Sequence, residues 1–231
     1  MVTMCGRFTL TAGPEEISNR FNVELTFLQN YEKTYNIAPS QHVFAIINDG
    51  KMNRGGYLRW GLIPPWAKDE KISFKLINAR AETVAKKPSF KNAFQKQRCL
   101  IIADSFYEWK DIGGKKQPMR IMRKDGQLFA MAGLWEKWRS PSGNAIYTCT
   151  IITTKANLLL KDIHERMPVI LNKEDEQIWL NPNISDIHLL QSLLKPYDEN
   201  EMIFYPVSSF VNSTKNNSAE CIAPLSETCE K

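Results

Sequence analysis

The chain has no apolar run approaching the roughly 18 residues that a membrane-spanning helix requires. Its N-terminus is too poor in apolar residues to act as a secretory signal, so a cytoplasmic protein is expected, with no membrane partner. The cysteines are Cys5, Cys99, Cys149, Cys221 and Cys229, an odd number with no CxxC pair. That spacing suggests neither a disulfide framework nor a zinc site, and neither metal nor cofactor is expected. There is no internal repeat and no Gly-, Ser- or Pro-rich linker to divide the chain, so residues 1–231 are read as one domain. At 43% hydrophobic and 24% charged residues the composition is globular, which excludes extended disorder.

What is present is mildly basic. A net charge of +5 permits an anionic partner without demanding one. Cys99 in RCLIIA and Cys149 in YTCTII sit in apolar runs and read as buried small hydrophobes. Cys221 and Cys229 fall in a polar tail, loose from about residue 221. Pro14 to Phe21 reads as a helix with Thr11 as a candidate cap, and His42 to Asn48 as a strand entering an Asp49-Gly50 turn. Gly56 to Trp60 is the return strand, and Leu62 to Ile72, with Pro64, Pro65 and Trp66, a loop with an exposed aromatic edge. Ala81 to Lys96 reads as helix broken at Pro88. Apolar runs at Arg98 to Ile102, Phe106 to Lys110, Pro118 to Met122, Leu128 to Trp135 and Ala145 to Thr153 are separated by turn signals. Strands so spaced predict an antiparallel, partly closed sheet. Asn157 to Ile163, Lys173 to Leu180 (capped by Asn172) and Ser185 to Leu194 are expected helices, and Val169 to Leu171 a strand.

A few polar residues sit where composition gives little reason for them. Asn78 and Arg80 lie in LINARAET, Glu108 inside the aromatic run SFYEWK, and His164 and Arg166 in IHERMP. Glu108 either faces solvent on alternate residues of a strand or is a carboxyl raised by apolar surroundings and able to deliver a proton near neutrality. His164, taken alone, reads as a satisfied or surface histidine rather than a catalytic one. Trp66 either packs under its proline loop or stands free to stack on an unpaired base beside basic residues.

These segments belong to a longer ordered series. MCGRF (Met4 to Phe8), YNIAPSQ, RWGLIPPWAKD, INARAET, ADSFYEWK, GLWEKW, IITTKAN, IHERMPVIL and VSSFVNSTKNNSAE follow one another from Met4 to Glu220. Together they resemble the SOS-response-associated peptidase (SRAP) family of abasic-site proteins. The resemblance implies an α+β fold, a bifurcated antiparallel β-sheet with a barrel-like core flanked by helices. It implies a catalytic set of Cys5, Asn78, Glu108 and His164, with DNA contacts from Arg7 and Arg80; Trp66, in the PPWAKD segment, is the candidate for stacking on a base. Some relatives carry a second tryptophan after that position, where this chain has Ala67. The implied activity is covalent capture of abasic sites in single-stranded DNA through a thiazolidine on a leading cysteine, by a monomer that joins the nucleoid when bound. Lyase cleavage and self-processing of the leading residues are implied alongside it.

Elementary chemistry agrees with a leading cysteine. A terminal α-amine is roughly 14% free base at pH 7, a lysine roughly 0.04%. A thiol two carbons from that amine closes an unstrained five-membered ring on an imine; an internal cysteine, whose nitrogen is an amide, cannot. Here Met1, Val2, Thr3 and Met4 precede Cys5. Residues 1–4 are therefore read as a removable leader or a start placed too early. Two other readings stay open: a thiol peptidase acting on other proteins with His164 as base, and a non-catalytic reader of modified DNA. No role is assigned to Lys215 to Ser218 or Glu220.

Overall fold

The computed structural model describes residues 5–225. The strands are β1 (Phe8–Leu10), β2 (Thr34–Ile37), β3 (His42–Asn48), β4 (Asn53–Trp60), β5 (Asn78–Arg80), β6 (Arg98–Ala103) and β7 (Ser105–Ile112). They continue with β8 (Lys115–Arg123), β9 (Phe129–Arg139), β10 (Ala145–Lys155), β11 (Arg166–Pro168), β12 (Ile170–Leu171) and β13 (Met202–Pro206). The helices are α1 (Pro14–Phe21), α2 (Lys91–Lys96), α3 (Lys173–Leu180) and α4 (Ile187–Ser192).

Strands β10, β4, β3, β6 and β9 pair in that order, and pairing of β9 with β10 closes them into a barrel. A second sheet runs β13-β8-β7-β1-β2. Between β6 and β7 the chain passes from one sheet to the other through the single residue Asp104, because β6 ends at Ala103 and β7 starts at Ser105. Asp104 is pinned there by Thr9 Oγ1, by the Thr11 N–H and by Thr11 Oγ1, with Arg120 Nη2 3.7 Å away. The fold is thus α+β with a barrel and a forked sheet, as the resemblance implies. One expectation needs correction: β10 runs parallel to both β4 and β5. Trp60 lies opposite Cys149 and Asn78 opposite Ile151, so residues 61–77 leave the β10 edge and re-enter it almost where they left. Trp60 Nε1 donates to the Ile77 carbonyl (2.8 Å) and closes the neck of that excursion. Gly61, at φ +125°, makes its first bend, and a Cβ there would lie 2.9 Å from the Ser73 carbonyl oxygen.

Local sequence explains most elements. α1 starts with Pro14 at its first turn, followed by Glu15 and Glu16. Thr11 does not cap it, however: Gly13 is the N-cap, and the Thr11 hydroxyl is committed to Asp104. In α3, Asn172 Oδ1 accepts from the Asp175 N–H as expected. Only Lys91–Lys96 of the helix expected over 81–96 forms. The preceding residues make separate turns, and the Ala81 N–H is drawn to Thr153 on β10 (2.9 Å). The helix expected over Asn157 to Ile163 is also absent: residues 158–163 form turns, although Asn157 Oδ1 accepts from the Leu160 N–H while its Nδ2 donates to the Tyr197 carbonyl.

Cys99 and Cys149 are buried as read, but Cys221 is buried too. It packs with Tyr107, Val207 and Val211, and the Leu225 N–H donates to Pro206, so residues 221–225 are not a loose tail. Cys229 lies outside the described residues. The unassigned motif is a clasp on β2: Asn36 Nδ2 donates to the Asn216 carbonyl (2.8 Å) and Asn217 Oδ1 accepts the Tyr35 N–H (2.7 Å).

Glu136 on β9 is buried without an ion-pair partner among the described residues, and burial lifts its carboxyl to about 7. Gln97, with its amide nitrogen turned to the carboxylate, donates to both oxygens (2.9 and 3.1 Å) and only partly offsets this. A carboxyl raised above its unfolded value stabilises the fold while protonated. That contribution is complete below about pH 4.3 and is lost as pH rises through about 7. Glu136→Gln is therefore expected to match wild type in urea midpoint near pH 4.5 and exceed it at pH 8.

Candidate active site

Cys5 occupies the turn that leads into β1 and is buried (4% exposed). Its φ of 38° lies in the left-handed region, a cost of order 1–3 kcal/mol for a non-glycine residue. Its backbone N–H donates to Glu108 Oε1 at 2.8 Å. Glu108 comes from β7, two residues beyond Phe106, which pairs with Phe8 of β1. That register carries the carboxylate back along the segment leading into β1, to Cys5 three residues before the strand. Glu108 is 3% exposed, so the bland reading of a solvent-facing strand carboxylate is excluded. Burial raises its carboxyl above the ordinary range, against the lowering effects of His164 and of the Cys5 N–H.

His164 Nδ1 stands 3.9 Å from the same Oε1. The ring ends the turn before β11, where the Arg166 N–H donates to Nδ1 at 3.1 Å. The Arg166 carbonyl oxygen lies 3.2 Å from the same Nδ1, so the ring tautomer sets whether Nδ1 accepts from the Arg166 N–H or donates to its carbonyl. The Arg166 carbonyl oxygen lies 3.8 Å from Cys5 Sγ and accepts its S–H. Burial, reinforced by Glu108, pushes the Cys5 thiol well up, while Arg166 pulls the other way. The thiol is therefore neutral at rest.

Asn78 and Arg80 reach this end of β10 through β5, paired with Ile151 and Thr153, and β11 pairs with β10 at Thr153 to Lys155. Asn78 Nδ2 is buried with no partner among the described residues. Arg80 is exposed. Arg7 is more committed than the sequence suggested. Its Nη1 donates to Asn36 Oδ1 (2.7 Å) and the Val211 carbonyl (2.8 Å), and its guanidinium lies 5.6 Å from the Trp109 ring centroid. Arg7 and Trp109 instead line an open cleft of about 310 Å³ with Asn212 and with Gly6, the residue that follows Cys5 in the chain. Trp66 is 59% exposed on the 61–77 excursion, so it is not packed beneath its prolines, and Phe74 on the same loop is 67% exposed. The loop is moored by the Ile63 N–H on Thr148 Oγ1 (2.9 Å) and by Trp138 Nε1 on the Ala67 carbonyl (2.8 Å).

The structure thus brings Cys5, Glu108 and His164 into one buried cluster and adds Arg166, whose backbone touches both His164 and Cys5. Sequence reasoning marked Arg166 without giving it a role, and overlooked its partner Glu82. Barrel, forked sheet and a buried cysteine held to a carboxylate define one class of α+β protein. The chain belongs to the SOS response associated peptidase (SRAP) family, whose model matches residues 4–214. The abasic site processing protein YoqW of Bacillus subtilis is 59% identical over 221 residues, covering 95% of this chain and 99% of that one. The abasic site processing protein HMCES of Gallus gallus is 35% identical over 192 residues, covering 73% of this chain and 56% of that one. A solved structure of a protein from Bacteroides thetaiotaomicron superposes with a TM-score of 0.86 at 29% identity, over 96% of this chain and 100% of that one. No helix among the described residues is long and apolar enough to cross a membrane.

Proposed function

We propose that the chain processes abasic sites in single-stranded DNA by covalent capture through Cys5, once loss of residues 1–4 frees its α-amine. The observation that carries this reading is the 2.8 Å contact between Cys5 N and Glu108 Oε1. In a chain that begins at Cys5 the same nitrogen is an amine, held against a carboxylate able to take its proton. The strained φ at Cys5 also disappears, because that torsion requires a preceding residue.

Glu108 takes a proton from the α-ammonium, and the amine adds to the ring-opened sugar aldehyde. The protonated carboxyl then returns the proton to the departing hydroxyl, giving a protonated imine and water. Cys5 Sγ adds to the iminium carbon as Glu108 takes the thiol proton and passes it to solvent. The sum is α-ammonium, thiol and aldehyde to thiazolidine, water and one proton. A carboxyl raised by burial suits this double duty, since it both accepts and donates near neutrality. His164 assists proton transfer at the imine and in reversal. Asn78 offers its unused Nδ2 to the sugar, and Arg80 a fork to phosphate, with Trp66 stacking on a neighbouring base. An imine trapped slowly would lose its 3′ phosphate by β-elimination, a lyase side reaction.

A thiol peptidase is less well supported. Its nucleophile would be a thiolate, yet burial and Glu108 disfavour that form. The test is denaturing electrophoresis of the Cys5-first protein with an abasic single-stranded oligonucleotide. Cys5→Ala is expected to abolish the adduct, and Glu108→Gln to slow it on the order of 10²-fold. An undiminished adduct with Cys5→Ala would overturn the reading.

A further inference from the structure

Glu82 takes no part in the chemistry above, yet it governs the residue beneath Cys5. Its carboxylate, 43% exposed at the surface, accepts from Arg166 Nη1 (2.6 Å) and Nη2 (3.0 Å) in a two-point fork. Arg166 itself is buried, and its Nη2 donates again to the Thr153 carbonyl (2.6 Å). That same carbonyl receives the Ala81 N–H (2.9 Å), from the residue next to Glu82. The ion pair therefore fastens the turn after β5 to the start of β11 across the end of β10. At the other side of Arg166, its backbone works on the site. The N–H holds His164 Nδ1 at 3.1 Å, and the carbonyl oxygen lies 3.8 Å from Cys5 Sγ.

We propose that Glu82 is a positioning residue of this site: it clamps Arg166 and offsets its charge, and Arg166 in turn sets His164 and the floor under Cys5. The proposal rests on the reading of Cys5 as the nucleophile. A buried arginine stripped of its carboxylate is an uncompensated charge, and the Arg166 Nε is already buried without a partner among the described residues. The charged and titratable groups facing Cys5 are Glu108 from β7, His164 from the turn before β11, and Arg166 from β11, with Glu82 behind Arg166. Loss of the Glu82 charge leaves Arg166 to act on Cys5 unopposed. The thiol, and the α-amine of a Cys5-first chain, then release their protons at lower pH.

Alkylation of Cys5 by iodoacetamide, located by peptide mass and followed against pH in the full chain, needs neither DNA nor a free amine. Glu82→Gln is expected to move its midpoint down by about half a pH unit, and Glu82→Asp to restore much of the wild-type profile. In the Cys5-first protein, Glu82→Gln is expected to slow crosslinking to an abasic oligonucleotide about 5- to 10-fold at saturating DNA. Binding of the intact oligonucleotide should stay within about twofold of wild type. An alkylation midpoint that stays at the wild-type value overturns the proposal, whatever happens to the rate, because a merely structural brace would leave it in place. Absence of any adduct from the wild-type Cys5-first protein would instead remove the proposed function, and the alkylation profile would still decide the part played by Glu82.

Discussion

A chain that keeps Met1 to Met4 is expected to leave abasic single-stranded DNA unmodified, while the same chain beginning at Cys5 carries it through denaturing electrophoresis. The difference is the state of one nitrogen. Behind Met4 it is an amide, with no basic lone pair to add to an aldehyde. In the described structure it can only donate its hydrogen to Glu108 Oε1 (2.8 Å). At a chain start it is an amine with an ordinary pKa near 7.8, of which a useful fraction is free base at neutral pH. The Cys5 thiol cannot substitute for it. A thiol alone gives a reversible hemithioacetal that does not survive denaturation, and burial beside Glu108 holds this thiol in its neutral form. The expected effect is therefore all or none. Intact mass of each protein after mixing with the oligonucleotide checks it: one oligonucleotide added, less one water, for the Cys5-first chain, and no added mass for the longer one. A stable adduct on a chain shown to retain Met1 to Met4 would mean that the α-amine is dispensable and would leave the thiazolidine without support.

The site was legible in the sequence to the extent that its chemistry sits in single residues. Cys5, Glu108 and His164 were singled out and converge within 4 Å of Glu108 Oε1. Barrel strands such as His42–Asn48 were legible because each strand's own side chains carry the signal. Legibility failed where a distant partner overrides local preference. Thr11 has the chemistry of a helix cap, but Asp104, nearly a hundred residues away in the chain, claims it. Ala81 to Phe90 has helical composition, but the Thr153 carbonyl captures the Ala81 N–H and starts the segment as a turn. The parallel pairing of β10 was hidden because the excursion over residues 61–77 separates β4 from β5, which lie nearly end to end along one edge. The Glu82–Arg166 fork was hidden for the same reason, since its two halves lie in different motifs.

Arg98→Met is expected to be the most destabilising single substitution away from the active site, at about 3–5 kcal/mol. The sequence offers no hint of this, because Arg98 reads only as the first residue of an apolar strand. In the structure it is 5% exposed, and each of its five N–H donors meets a backbone carbonyl. Nε donates to Trp179 (2.7 Å), Nη1 to Phe94 (3.1 Å) and Gln95 (2.5 Å), and Nη2 to Asn181 (2.6 Å) and Ile184 (2.9 Å). Phe94 and Gln95 belong to the last turn of α2, Trp179 to that of α3, and Asn181 is the α3 C-cap. A single cation thus satisfies the unpaired carbonyls of two helix ends and faces the negative end of both dipoles. Burial lowers the guanidinium to about 10, which leaves it charged at neutral pH. Methionine retains the stem's packing but leaves the carbonyls of both helix ends without their donor, each worth roughly 1 kcal/mol or more. Lysine keeps the charge but not the fork, and is expected to recover less than half of the loss. Urea denaturation at pH 7 should show the midpoint of Arg98→Met lowered by about 1–2 M, with an unchanged slope. A midpoint within about 0.3 M of wild type would show that water replaces the guanidinium at these helix ends without cost.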